Sequence, residues 1–208
     1  MISRRPNRKS SVGTSKRPAK EASKAAPKRA TRLSHRPSSI VHWTKIEAAD
    51  DSHYGGDDEL MSIGARFGRH FGLERLGIHH ERLLPGRRTS YPHAESAEEE
   101  FVYVIVGTPD VWLDGELHRL RAGDAVGFRA GTGICHSFLN NSAGEVRLLV
   151  VGEAHKPENR VFYPRNPEQA TRKDWWSNPP PRSLGDHDGL TDSVRARRAR
   201  AGKSRRQS

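Results

Sequence analysis

Between residues 76 and 163 the chain is a succession of short apolar runs, each stopped by Gly, Pro, Asp or Asn. Residues 76–84 have strand character and stop at Pro85-Gly86. Residues 101–106 are nearly all β-branched or aromatic, the types that suit a pleated, buried surface. Val111-Trp112-Leu113 and Leu117-His118-Arg119-Leu120 flank Asp114-Gly115, a hairpin signal because both central residues of such a turn need positive φ. Residues 125–128, 135–139, 146–151 and 161–163 follow, with turn residues between them. There is no convincing long helix. The pattern predicts an all-β sandwich or barrel.

Hydrophobic residues are 33% of the 208, too few for the whole chain to pack. The charge map locates the unpacked part. Residues 1–39 carry 12 Lys/Arg against one acid, Glu21, and residues 194–208 carry 7 against none. Residues 40–193 carry 17 Lys/Arg against 24 Asp/Glu, so the net +11 of the chain belongs to its ends. Pro6, Pro18, Pro27 and Pro37 interrupt any helix in the first end, and little there is apolar enough to bury. Both ends are expected to be disordered basic tails, with a short basic helix at residues 195–200 as the alternative for the second. Weak, non-specific nucleic-acid contact is one use of such tails, and it would fall steeply with salt. Organelle targeting by the first tail is another. The acidic centre lacks the charge balance of a nucleic-acid-binding domain.

The expected organisation is a tail over 1–39, a barrel over 40–165, an irregular extension over 166–193 and a second tail over 194–208. Ile40-Val41-His42-Trp43 is expected to open the barrel as a strand. Trp175-Trp176 is expected to dock the extension on the barrel or on a partner subunit. No apolar run approaches the roughly 20 residues of a membrane span, and no apolar segment follows the N-terminal charges as a secretory signal would require. The single cysteine, Cys135, forms no intramolecular disulfide and fits a reducing compartment. A cytoplasmic location is therefore expected.

Two stretches carry chemistry. In residues 86–107, His93 and Glu95 are two apart and share a face if that segment is extended. Glu100 opens an apolar strand and shares a face with Val102 and Val104, where a carboxylate needs a partner. In residues 123–140, Gly131 and Gly133 allow a turn before His136, which shares a face with Phe138. A metal ion would satisfy His93, Glu95, Glu100 and His136 together. Two imidazoles with one or two carboxylates suit Fe(II), Mn(II), Ni(II) or Zn(II). The alternative is that both histidines are hydrogen-bonded residues around a ligand pocket. His79 and His80 point to opposite faces, His118 is expected to be exposed, and alternation turns Cys135 away from the site as a small buried hydrophobe.

These stretches resemble the paired motifs of the cupin superfamily. His93 takes the first histidine position, and Glu100 and Gly107 take the glutamate and final glycine of the first motif, with six residues between them. Gly123, Gly131, His136 and Asn140 take the positions of the second. Three departures stand out: Glu95 replaces the second histidine, Arg129 stands where proline is common, and one extra residue separates Gly131 from His136. The resemblance covers residues 73–153, with a looser likeness to small single-domain cupins beyond it. It implies a cupin-type jelly-roll β-barrel holding a divalent metal ion through His93, Glu95, Glu100 and His136. It further implies a small-molecule ligand or substrate and a homodimer. The function expected on that basis is a metal-dependent oxidoreductase, isomerase or lyase acting on a small organic molecule. The alternative is a non-catalytic cupin that binds a sugar or metabolite, metal-free or metal-assisted.

Overall fold

Alternation along each strand sorts its side chains onto two faces, and antiparallel register decides which of them meet. A computed structural model, which describes residues 36–204, contains β1 (Ile63–Arg66), α1 (Phe67–Phe71), β2 (Leu76–Leu83), β3 (Ala94–Glu95), β4 (Glu100–Val106), β5 (Asp110–Leu113), β6 (Glu116–Arg119), β7 (Ala125–Phe128), β8 (His136–Leu139), β9 (Val146–Glu153), β10 (Val161–Phe162) and α2 (Asp192–Ser204). The strands form a five-stranded sheet in the order β1-β2-β9-β4-β7, a three-stranded sheet β6-β5-β8 and the pair β10-β3, all antiparallel. This is the all-β double sheet of a jelly roll. Hydrogen bonds do not close it into a continuous barrel among the described residues. No helix among those residues is long and apolar enough to cross a membrane.

The core lies between the two larger sheets. Leu83, Val102, Val104, Phe128, Val146 and Leu148 face Val111 and Phe138 across it. β5 and β8 are buried on both faces. Their second face brings Trp112 and Leu139 together with Cys135 and Ala94, under Phe162 and Trp176. The covering is polar as well as apolar, since the Trp112 Nε1–H donates to the His187 carbonyl at 2.9 Å. The β5–β6 hairpin turns at Asp114 (φ 45°) and Gly115 (φ 96°), the positive values that an Asp-Gly pair tolerates.

Two expectations are corrected. Ile40-Val41-His42-Trp43 is no strand: Trp43–Lys45 is a 3-10 turn capped by the His42 ring, and the Trp43 indole stacks on His80 at 4.4 Å. The run from residue 194, expected to be a tail, is helical in α2 as far as Ser204. Its basic composition suggests self-repulsion, but acids of the first loop and of the C-terminal segment absorb the charge. Arg195 pairs with Asp188 at 2.8 Å, and Arg198 pairs with Asp57 at 3.0 Å and Glu59 at 3.4 Å. Val194 is buried beneath them. The expected basic tail over 1–39 lies outside the described residues up to residue 35, as do residues 205–208.

Candidate functional site

His93 and His136 form an isolated antiparallel bridge. The His93 N–H donates to the His136 carbonyl at 3.1 Å, and the His136 N–H donates back to His93 at 2.8 Å. Directly opposed residues present their side chains on one face, so the two rings sit 4.9 Å apart between centroids. Glu100 arrives from β4. Its strand register sets it opposite Phe128 of β7 on one side and Gly152 of β9 on the other. That places its Oε1 3.2 Å from His136 Nε2, while the His136 ring stacks on Phe128 at 3.5 Å.

Each group has a distinct proton affinity. His93 Nδ1 lies 2.9 Å from the Tyr91 carbonyl, an acceptor only, so that nitrogen carries the proton. Burial, reinforced by the neighbouring His136, pushes His93 down to about 4, leaving it neutral. Burial pushes Glu95 up to about 8, helped by the charges of Glu98 and Glu100 and partly offset by Asn159. Burial would also raise Glu100, but the hydrogen bond to His136, with the neighbouring imidazoles, outweighs it and holds its carboxyl below the usual value. Two carboxyl groups are thus pushed in opposite directions. Both line one cavity of about 300 Å³, together with Glu98, Glu99, Glu153, His79 and His155. Glu100 also borders an apolar depression of about 400 Å³ beside Phe101, Phe128 and Val151.

The structure therefore sets His136 beside His93 on one side and Glu100 on the other, and places Glu95 and Glu100 on one cavity. The expected i, i+2 convergence of His93 and Glu95 does not produce a contact, because Glu95 turns toward Glu98 and Asn159. Asn159 is anchored by the Ala97 N–H, which donates to its Oδ1 at 2.9 Å. A metal shell would need at least three of these donors to converge, and among the described residues no three His, Cys, Asp or Glu side chains are so placed. The four expected ligands are therefore not gathered around one point in this arrangement. Sequence reasoning missed Phe128 as the platform for His136 and Asn159 as the anchor of the Glu95 loop. Phe128 was visible as a strand residue, but nothing local marks Asn159. Cys135 lies in the core on the far face of β8, with burial, then Asp114, pushing its thiol up to about 12.

The double sheet therefore carries His93, Glu100 and His136 as a polar group beside an otherwise apolar core. Residues 79–152 match the family model described as the cupin domain. No curated protein matches the chain. Among solved structures, a sugar phosphate isomerase of the cupin superfamily from Silicibacter pomeroyi is 31% identical, over 49% of this chain and 64% of its own, with a TM-score of 0.47. A proposed sugar phosphate isomerase from Acidithiobacillus ferrooxidans is 24% identical, over 62% of this chain and 83% of its own, with a TM-score of 0.54. The polyketide cyclase RemF from Streptomyces resistomycificus is 22% identical, over 65% and 94%, with a TM-score of 0.50. The last two show the fold. Residues 79–152 of this chain are thus similar to the cupin domain.

Proposed function

We propose that this chain is a proton-transfer enzyme, of the isomerase or lyase kind, acting on a small organic molecule at the cavity between Glu95 and Glu100. One observation carries the reading: two carboxyl groups line one cavity and are held in opposite protonation states. Such a split is how an acid and a base are assigned within one site. Glu95 enters the cycle protonated and gives its proton to the substrate. Glu100, oriented by His136, takes a proton from another position of the same molecule. A 1,2- or 1,3-shift of this kind leaves the protein's own proton count unchanged once Glu95 and Glu100 re-equilibrate. His93 is held in place by its Nδ1–H, which donates to the Tyr91 carbonyl.

The metal-dependent reading implied by the family motifs competes with this one. It requires Glu95 to lose its proton and turn to His93. Metal content and proton exchange separate the two. The full chain is purified without added metal and assayed for metal, then incubated in D₂O with a panel of small hydroxy-ketones, aldoses and keto acids. Carbon-bound deuterium is followed by proton NMR. The expected result is exchange into one member of the panel, slowed by about 10²-fold or more in Glu100→Gln and in Glu95→Gln. Stoichiometric metal that disappears in His93→Ala/His136→Ala would overturn the proposal and restore the metal centre. Thermal stabilisation by a panel member without exchange would instead assign the cavity to non-catalytic binding.

A further inference from the structure

Several arginines of the described chain find acidic partners. Arg82 pairs with Glu47 and Glu145, Arg87 with Asp50, Arg119 with Asp110, and Arg195 with Asp188. Arg66 and Arg69 are among those that do not, as are Arg75, Arg129, Arg160 and Arg165, although residues 40–193 hold more acids than bases. Neither Arg66 nor Arg69 makes an ion pair among the described residues, and neither does His70. All three line one cavity of about 450 Å³ with Ile46, Ala48 and Gly64, and no carboxylate lines it.

The backbone builds this cluster. Gly64 and Arg66 lie on the same face of β1. The Ala48 N–H donates to the Gly64 carbonyl at 2.9 Å and Glu47 bridges Ala65, so residues 46–48 run along β1 and floor the cavity. α1 supplies Arg69 and His70, and it sits hard against β2. A Cβ on Gly68 would stand 2.7 Å from the Leu76 carbonyl oxygen and 3.0 Å from the Ile78 nitrogen, so only glycine allows that approach. Gly72, at φ 65°, ends the helix and donates its N–H back to Arg69 at 3.3 Å. Glu81 faces Gly64 across the β1–β2 pair, but the Ser62 hydroxyl and His79 engage it, and Arg82 engages Glu47.

We propose that this cavity is an anion site that takes the phosphate group of a small phosphorylated molecule. Two guanidinium forks and an imidazole can surround a tetrahedral dianion, with hydrogen bonds strengthened by charge on both sides. No lining carboxylate competes for these side chains, as acids do for Arg82, Arg87 and Arg195. The inference does not depend on the proton-transfer reading, because none of its residues belongs to the Glu95–Glu100 cavity.

The test is an NMR titration of the ¹⁵N-labelled full chain with inorganic phosphate and with glycerol phosphate, against sodium chloride at matched ionic strength. Saturable shifts at residues 64–70, including the Arg66 and Arg69 side-chain Nε signals, are expected with both phosphates and not with chloride. Arg66→Gln/Arg69→Gln should weaken phosphate binding about tenfold or more while leaving the thermal midpoint in chloride unchanged. Equal shifts with chloride would overturn the proposal. So would unchanged affinity in the double variant, which would assign the phosphate to the basic residues of segment 1–39.

Discussion

Glu95 holds its proton where an ordinary glutamic acid has lost it. Burial does most of this, and Glu98 and Glu100 add to it, raising the carboxyl to about 8. The consequence for stability has a fixed sign. Between the ordinary carboxylate value and about 8, the unfolded chain has released a proton that the folded chain keeps. This group's contribution is therefore complete below the lower value and declines as pH rises through the upper one. His93 acts in the opposite sense: depressed to about 4, it costs stability as the pH falls from the ordinary histidine value toward 4. Glu95→Gln should thus flatten the alkaline limb of the stability–pH curve, measured by urea denaturation, and leave the acid limb in place. Parallel curves for variant and wild type would show that Glu95 is ionised at neutral pH, removing the proton donor from the proposed mechanism.

At the level of elements, the β5–β6 hairpin was legible because its signal is local. Asp114-Gly115 demands positive φ, and the flanking runs alternate. β4 was legible for the same reason, with Val102 and Val104 inward and Phe101, Tyr103 and Ile105 outward. β3 was not, since two residues such as Ala94-Glu95 become a strand only when β10 arrives from far along the chain. The site divides likewise: residue type and alternation were enough to single out His93, Glu100 and His136, whereas the direction taken by Glu95 depends on Asn159 and Glu98. The hairpin also bears on the C-terminal segment. Gly115 donates no side chain because Gly185 lies against it, and the Gly185 N–H donates to the Asp114 carbonyl at 2.7 Å. Gly123 has nearly the same φ, 97°, with nothing within 4 Å of a Cβ. Gly123→Ala should cost only the backbone strain, about 1–2 kcal/mol. Gly115→Ala adds a collision with Gly185 and should cost more, with faster proteolytic cleavage near residue 185. Equal denaturation midpoints for the two variants would mean that the C-terminal segment does not press on the hairpin in solution.

Across the whole molecule, one buried ion pair ties the first loop, the barrel and the C-terminal segment together. Glu59 and Arg88 are 2% and 1% exposed. Arg88 meets Glu59 with two parallel bonds of 2.7 and 2.8 Å, and its third arm donates to the Gly189 carbonyl at 2.9 Å. Arg198 of α2 reaches the same carboxylate at 3.4 Å. The guanidinium of Arg88 also lies 4.7 Å over the Tyr91 ring, which stacks on Tyr54 at 3.8 Å and whose hydroxyl donates to Asp57 at 2.7 Å. Tyr91 in turn supplies the carbonyl that fixes His93. A buried pair contributes little net stability over an apolar replacement, because desolvation offsets attraction, but removing one member strands the other. Arg88→Met should therefore destabilise by about 3–5 kcal/mol, reduced to the extent that Arg198 moves onto Glu59. Arg88→Met/Glu59→Leu should recover most of that loss, since no charge is then left without a partner. Arg88→Lys should recover less, because an ammonium cannot bond both carboxylate oxygens and Gly189 in the same geometry. Urea denaturation of the three variants orders them. If the single variant matched wild type, Glu59 would be hydrated in solution, and the link from α2 through Arg88 and Tyr91 to His93 would carry no load.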